Sequence, residues 1–468
     1  MTRIAFVIAA CLLCALKPSP AAENLIGGAL STEQRRNSFS AEEQKRVETI
    51  RSQSHVVSAS VSTLNAQALN YDEISVNLPN GEAATYRAIS KQRSSDETLL
   101  WKGASTTEVV DGKARDIAEF FSRPSKQSRS APVLGWLVWK GVRYEVDFLK
   151  DGVAVIVQVN TGTVPQHPKD WKEIQERSKG NSKNRADGQS INLGPSEPSA
   201  NVAAANQSIY TANLLFAVTP QAASYFGGAL QTRIDQVVFD VNNIFANSNT
   251  SLRIQRVGGI STQALDYSSI GFAHSRGYSI DQMQERDAAN ADLVVTIGMY
   301  GNDGCGIARV YASAEDSHIL LKANCLFLSK NLAHELGHIL GGHHPIEYDS
   351  SNDPFSWGHG YYFRDPSTLY PGKAYCSGTI MAAGLKFPNL ANCLLDSSGK
   401  PDTVGDGNVD KFSTPIPEVG WPILGNSTSA NMVRVISENS YRITTFRATK
   451  LASAWRVRLL QLIMHILD

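Results

Sequence analysis

The stretch at 334–344 places His334, Glu335, His338, Gly341 and His344 on the spacing His-Glu-x-x-His-x-x-Gly-x-x-His. On a helix, His334 and His338 project from one face, about 6 Å apart along the axis. Two neutral imidazoles so placed can share a tetrahedral zinc with bonds of about 2.0–2.1 Å. Glu335 follows the first ligand and reaches the open side of the metal, where it can take a proton from zinc-bound water and later return it to a leaving amine. Gly341 lets the chain leave the helix in a left-handed conformation and bring back His344 as third ligand. His343 beside it offers a competing register. A His-Glu-x-x-His string alone arises on many polar helices; Gly341 and His344 at fixed offsets make the signal specific. Leu332, Leu336, Ile339 and Leu340 supply an apolar stripe beside the ligand face, on a helix expected to start near Ser329.

The extended motif resembles that of the metzincin clan of zinc endopeptidases, whose second hallmark is a tight turn carrying a methionine beneath the metal. Ser377-Gly378-Thr379-Ile380-Met381-Ala382 looks like that turn, with Met381 as its methionine, in a chain with six methionines. Within the clan the chain is similar to secreted bacterial enzymes of the peptidyl-Asp metallopeptidase type, relatives of the reprolysins. The similarity runs from Ala291-Asp-Leu-Val-Val295 through Cys305-Gly-Ile-Ala-Arg-Val310, the zinc motif, Trp357-Gly-His-Gly-Tyr361 and the methionine turn. It continues into Phe412-Ser-Thr-Pro and Arg434-Val-Ile-Ser437. It implies an α+β catalytic domain, a twisted mixed sheet with a long helix and an active-site helix. It also implies an edge strand at 306–312, with Gly306, Ile307, Ala308 and Arg309, along which substrate backbone lies antiparallel. Lys386, after the methionine turn, could attract an acidic substrate side chain or be a solvated surface lysine. Two departures stand out: Pro345 occupies the place where reprolysin relatives carry Asp, and Ala383 occupies the place of the tyrosine ligand of some metzincins.

Other residues carry weaker signals. His359 lies between glycines and could orient substrate, bind a second metal or be structural. His274 and His318 have no ligand-spaced partner. Asp402, Asp406, Asn408 and Asp410 form an oxygen-rich turn that could hold calcium, although its spacing misses the EF-hand pattern.

At 468 residues the chain is long enough for two or three domains. Lys+Arg and Asp+Glu both total 44, so no field of one sign points to nucleic acid or an anionic membrane. Residues 1–22 read as a secretory signal: Arg3, an apolar run at 4–16, then Pro18-Ser19-Pro20-Ala21-Ala22. A lipoprotein-like box ending at Cys11 is the lipid-anchored alternative. No other stretch has the apolar length of a membrane span, so the protein is expected outside the cytoplasm, secreted or periplasmic. Beyond the signal remain Cys305, Cys325, Cys376 and Cys393, an even set that allows three pairings. Cys305–Cys325 and Cys376–Cys393 each close a short loop beside the zinc motif or the methionine turn, and are the expected disulfides.

Residues 23–164 are expected to form a propeptide-like, mainly antiparallel β domain. Its first part, 23–70, is polar with a helical tendency, and from about 72 the residues alternate: Ile74, Val76 and Leu78, then Trp136 to Trp139, Val142 to Val146 and Val153 to Val159. A polar linker and possible processing region spans 165–207, the protease domain 208–449, and a helical tail 450–468. In the protease domain, 214–218 reads as a strand. A long helix follows, with Phe226, Leu230, Ile234, Val237, Val241 and Phe245 at helical spacing, then strands at 252–257 and 293–297. The expected whole is an exported zinc endopeptidase acting on polypeptides, made as a proenzyme and opened by an activating protease. The competing readings are an exported binding protein or adhesin with an idle site, and a zinc hydrolase of a non-peptide amide.

Overall fold

The computed structural model describes residues 22–447, apart from 54–55, 94–96, 106–108, 111–112, 115, 124–130, 160–207, 261–266, 268–269, 271–272, 274–279, 301–303, 327–329, 367–373, 383–392, 394–410 and 418–421. The expected signal (but for Ala22), linker and C-terminal helix fall outside the described residues, as do His274, Lys386 and the oxygen-rich turn at 402–410.

The N-terminal unit holds β1 (Glu23–Ala29), α1 (Thr32–Ser38), α2 (Ala41–Arg51), β2 (Val56–Leu64), β3 (Glu73–Asn77), β4 (Ala83–Arg93) and β5 (Leu99–Ala104). The short β6 (Val109–Val110) and β7 (Lys113–Ala114) follow, then β8 (Ile117–Ser122), β9 (Val133–Trp139), β10 (Val142–Lys150) and β11 (Val153–Val159). Nine of these strands close into a barrel in the order β1-β2-β11-β10-β9-β8-β5-β4-β3. The expected mainly antiparallel β domain at 23–164 is thus a closed barrel, and its strands do not wait until about 72 to begin. The sheet begins at Glu23, and β1 closes it by pairing parallel with β3, Glu23 opposite Ile74. Helical character in the first segment lies in α1, α2 and a 3-10 turn at Ala66–Asn70; the caps Ser31 and Ser40 of the two α-helices each complete a capping box. Closure removes the open edges that a lone sheet would present. Inside, Trp101, Phe120, Tyr86 and Ile156 are fully buried.

The C-terminal unit starts with β12 (Tyr210–Val218) and α3 (Pro220–Phe226). It continues with α4 (Leu230–Asn247), β13 (Leu252–Arg256), α5 (Ile280–Ala288), β14 (Leu293–Gly298), β15 (Gly306–Ala308), β16 (His318–Lys322) and α6 (Lys330–Leu340). β17 (Tyr362–Pro366), β18 (Ala374–Gly378) and α7 (Met432–Ile443) complete it. Its sheet runs β13-β12-β14-β16-β15. The first four strands are parallel and β15 is antiparallel at the edge. Every residue of β14 is buried, as expected of a parallel strand covered on both faces. The expected single long helix is two helices. Gly227 follows Phe226 with φ +51, a conformation that residues with a Cβ avoid, and a short 3-10 turn leads into α4. The expected edge strand 306–312 is likewise shorter, because the Tyr311 N–H turns to the carbonyl of His338 at 2.8 Å.

α4, α6 and α7 share one core, with Val237, Val241, Leu336, Ile339, Val435 and Ile436 all buried. Arg442 of α7 pins this group to the end of the metal helix. Its guanidinium donates to Ala312 O at 2.6 Å and Ile339 O at 2.8 Å, and lies 4.0 Å over the Tyr311 ring. Desolvation pulls its pKa down to about 10. Arg442→Met should strip both carbonyls of their donor and destabilise the fold by about 2 kcal/mol. The expected reading is a lower denaturant midpoint with an unchanged slope.

Candidate metal centre

α6 is cut off by a Schellman turn. Gly342 N–H bonds the carbonyl of Gly337 at 2.8 Å, Gly341 N–H bonds that of His338 at 2.9 Å, and Gly341 has φ +110. A Cβ at Gly341 would stand 2.7 Å from the Phe355 ring, so space as well as conformation requires glycine there. The turn returns His344 toward the helix as the spacing predicts.

His334, His338 and His344 are buried, and their ligand atoms lie within 4.8 Å of one another. His334 Nδ1 donates to Ile380 O and His338 Nδ1 to Gly342 O, both at 2.8 Å. A carbonyl can only accept, so each Nδ1 carries the proton and each Nε2 presents a lone pair. His334 Nε2 stands 3.1 Å from that of His338 and 3.2 Å from that of His344. Tetrahedral bonds of about 2.0–2.1 Å place ligand nitrogens roughly 3.3 Å apart. The donor set therefore fits zinc, and the carbonyl-anchored rings supply the supporting hydrogen bonds such a metal needs. His343 does not compete: Asp349 Oδ2 at 2.9 Å and Asp353 O at 2.8 Å engage both of its ring nitrogens.

Glu335 is 1% exposed, and burial holds its carboxyl well above the usual range. The Ala308 main-chain N–H donates to this carboxylate, while Oε2 has no hydrogen-bond partner among the described residues. Gly306 of β15 makes room for it: a Cβ there would lie 2.6 Å from Oε1. Ile307 is buried beside them, and Arg309 leaves the strand to pair with Asp316 at 2.5 Å. Thus β15 holds the carboxylate in place, and the Ala308 N–H is already engaged by it. Cys305–Cys325 and Cys376–Cys393 are disulfides, as expected from the spacing. The first joins the residue before β15 to the turn after β16.

Met381 lies in a 3-10 turn, Ile380–Ala382, and is fully buried. A Cβ on Gly337 of α6 would meet its sulfur at 2.3 Å, so the methionine packs directly against the metal helix.

The role of His359 was not legible beforehand. It is fully buried, and its Nδ1 donates to the carbonyl of His344 at 2.7 Å. Its glycine neighbours explain how the loop fits. A Cβ on Gly360 would strike Met381 backbone at 2.7 Å, and Gly358 passes close to Gly341 O. Ser413 Oγ fastens the loop from below through His359 O at 2.6 Å. The glycine flanks were the available sequence signal. His318, by contrast, is a core residue whose Nε2 lies 2.8 Å from Thr296 Oγ1. His359→Ala should leave the fold intact and weaken zinc retention by roughly 10- to 100-fold, measured by competition with a chromophoric chelator. Asn at 359, which keeps a donor, should recover part of that affinity.

Residues 209–387 match the reprolysin-type family model of metallo-peptidase family M12. Two curated relatives are named peptidyl-Asp metalloendopeptidase. That of Xanthomonas campestris pv. campestris is 24% identical over 331 residues, 67% of each chain. That of Stenotrophomonas maltophilia strain K279a is 26% identical over 304 residues. The chain spans 63% of the length of this second relative. Among solved structures, metalloproteinase-II from Bacteroides fragilis overlaps 58% of this chain and 81% of its own at 13% identity and a TM-score of 0.28, too loose to add to the assignment. No helix among the described residues is long and apolar enough to cross a membrane. With its three converging imidazoles and buried methionine turn, the unit at 209–387 is similar to a reprolysin-type metallo-peptidase of family M12.

Proposed function

We propose that the chain is an exported zinc endopeptidase, made as a precursor, in which Glu335 is the general base and acid. The observation that carries this reading is the convergence of two fixed Nε2 lone pairs and a third imidazole beside a buried carboxylate. Zinc held by His334, His338 and His344 would polarise a scissile carbonyl and acidify water. Everything else falls to the chain. Glu335 accepts the proton of the attacking water and delivers it to the departing amine. Gly306 and Ala308 hold that carboxylate against β15, and the open edge of β15 offers main-chain groups to an extended polypeptide. Met381 supports the metal helix from below. The two disulfides fit an oxidising compartment, secreted or periplasmic, as the signal-like amino terminus implies. By analogy with the named relatives, bonds beside aspartate are the first substrates to try. Lys386, outside the described residues, is the candidate partner for the acidic side chain.

Two variants test the roles. Glu335→Ala should keep zinc and fold yet lose roughly 10²- to 10⁴-fold in peptide hydrolysis. Full activity in that variant would remove the assignment. Gly306→Ala should lower kcat with bound zinc unchanged, because the added methyl displaces the carboxylate without touching the imidazoles.

A further inference from the structure

On β10, Tyr144, Val146 and Phe148 point into the barrel, so Arg143, Glu145 and Asp147 point outward. On an isolated barrel these charges would face water. Here Arg143 is 7% exposed, Glu145 6%, and the Asp147 side chain 13%. They are covered by the metallopeptidase unit. Buried charges are rare unless paired: Arg143 and Glu145 pair with each other along β10 at 3.1 Å, and Asp147 pairs across the seam. Asp147 is gripped by Arg46 of α2 at 3.2 Å and by Arg233 of α4 at 3.1 Å. A second clamp has the opposite polarity: Asp235 of α4 is held by Arg123 of the barrel and by Arg256 of β13, the latter at 3.2 Å. Between the clamps, Ala229 is packed into the barrel's own core, Phe121 meets Phe239 at 5.9 Å, and Gln53 donates to the Tyr225 hydroxyl at 3.0 Å.

α4 therefore has two buried faces. Arg233 and Asp235, with Ala229 in the turn just before the helix, engage the barrel, whereas Ile234, Val237, Val241 and Phe245 join the core shared with α6. We propose that the barrel is a lasting clamp on α4: it stays bound after the chain between the units is cut, and it braces the metal helix from behind instead of plugging the cleft. This rests on the endopeptidase reading only where activity is measured. Removing the arginine that crosses the seam in either clamp leaves a buried carboxylate with one partner where it had two and breaks the ionic tie that clamp makes between the units, which is destabilising.

The test replaces residues 186–190 of the full chain with the site of a sequence-specific protease. After cutting, the halves should co-elute in size exclusion at ~0.15 M salt, where exposed pairs are already screened beyond about 8 Å. Hydrolysis of a short peptide should change by less than about threefold on cutting. Arg123→Ala, at the more exposed rim, should lower the salt at which the halves separate, and Arg233→Ala should separate them outright. Halves that part at ~0.15 M salt, or a rate that rises more than about tenfold on cutting, would overturn the clamp. If neither form hydrolyses peptide, the endopeptidase reading fails, and co-elution alone decides the clamp.

Discussion

Three imidazole lone pairs directed at one point inside a protein repel one another unless a cation lies between them. At His334 and His338 the carbonyls of Ile380 and Gly342 fix the tautomers that make this so. Those two carbonyls belong to the methionine turn and to the turn that ends α6. The electronic state of the site is therefore set by the backbone course of two turns, and the glycines at 337, 341 and 360 let those turns come close enough. Third-ligand placement follows the same logic, with the His344 backbone held by His359 and His359 held by Ser413.

The scaffold behind the turns is a set of buried helices on a largely parallel sheet. α6 cannot shift without disturbing α4 and α7, since all three contribute to one packed core, and packed interiors transmit small displacements. Arg442 closes the far end of this unit by joining the last turn of α6 to the segment after β15. The barrel adds a second layer of constraint on α4 through charges, whose geometry is more directional than apolar contact.

What could be read from the residues alone depended on how local each interaction was. The ligand set is encoded within eleven successive residues at 334–344, and a helix of period 3.6 converts that spacing into a face. Both cysteine pairs close short loops, so their pairing was legible as well. β1 and β2 were not: Glu-Asn-Leu-Ile-Gly-Gly-Ala and a serine-rich strand have little alternation, and only closure of the barrel makes them strands. The break at Gly227 was hidden because the apolar period runs on across it. His359, Arg442 and the Asp147 clamp act between residues far apart in the chain, and outward charges on a strand ordinarily signify a wet surface.

The bond between Cys305 and Cys325 ties off the hairpin of β15 and β16, the wall against which the Glu335 carboxylate rests. Closing a loop of this length stabilises a fold by about 3 kcal/mol. In a reducing cytoplasm that tie is absent, and the wall is correspondingly looser. Under the proposed reading of an exported endopeptidase, the chemistry of the compartment doubles as a safety catch: a newly made chain would reach its full hydrolytic geometry only after it has left the proteins it could damage.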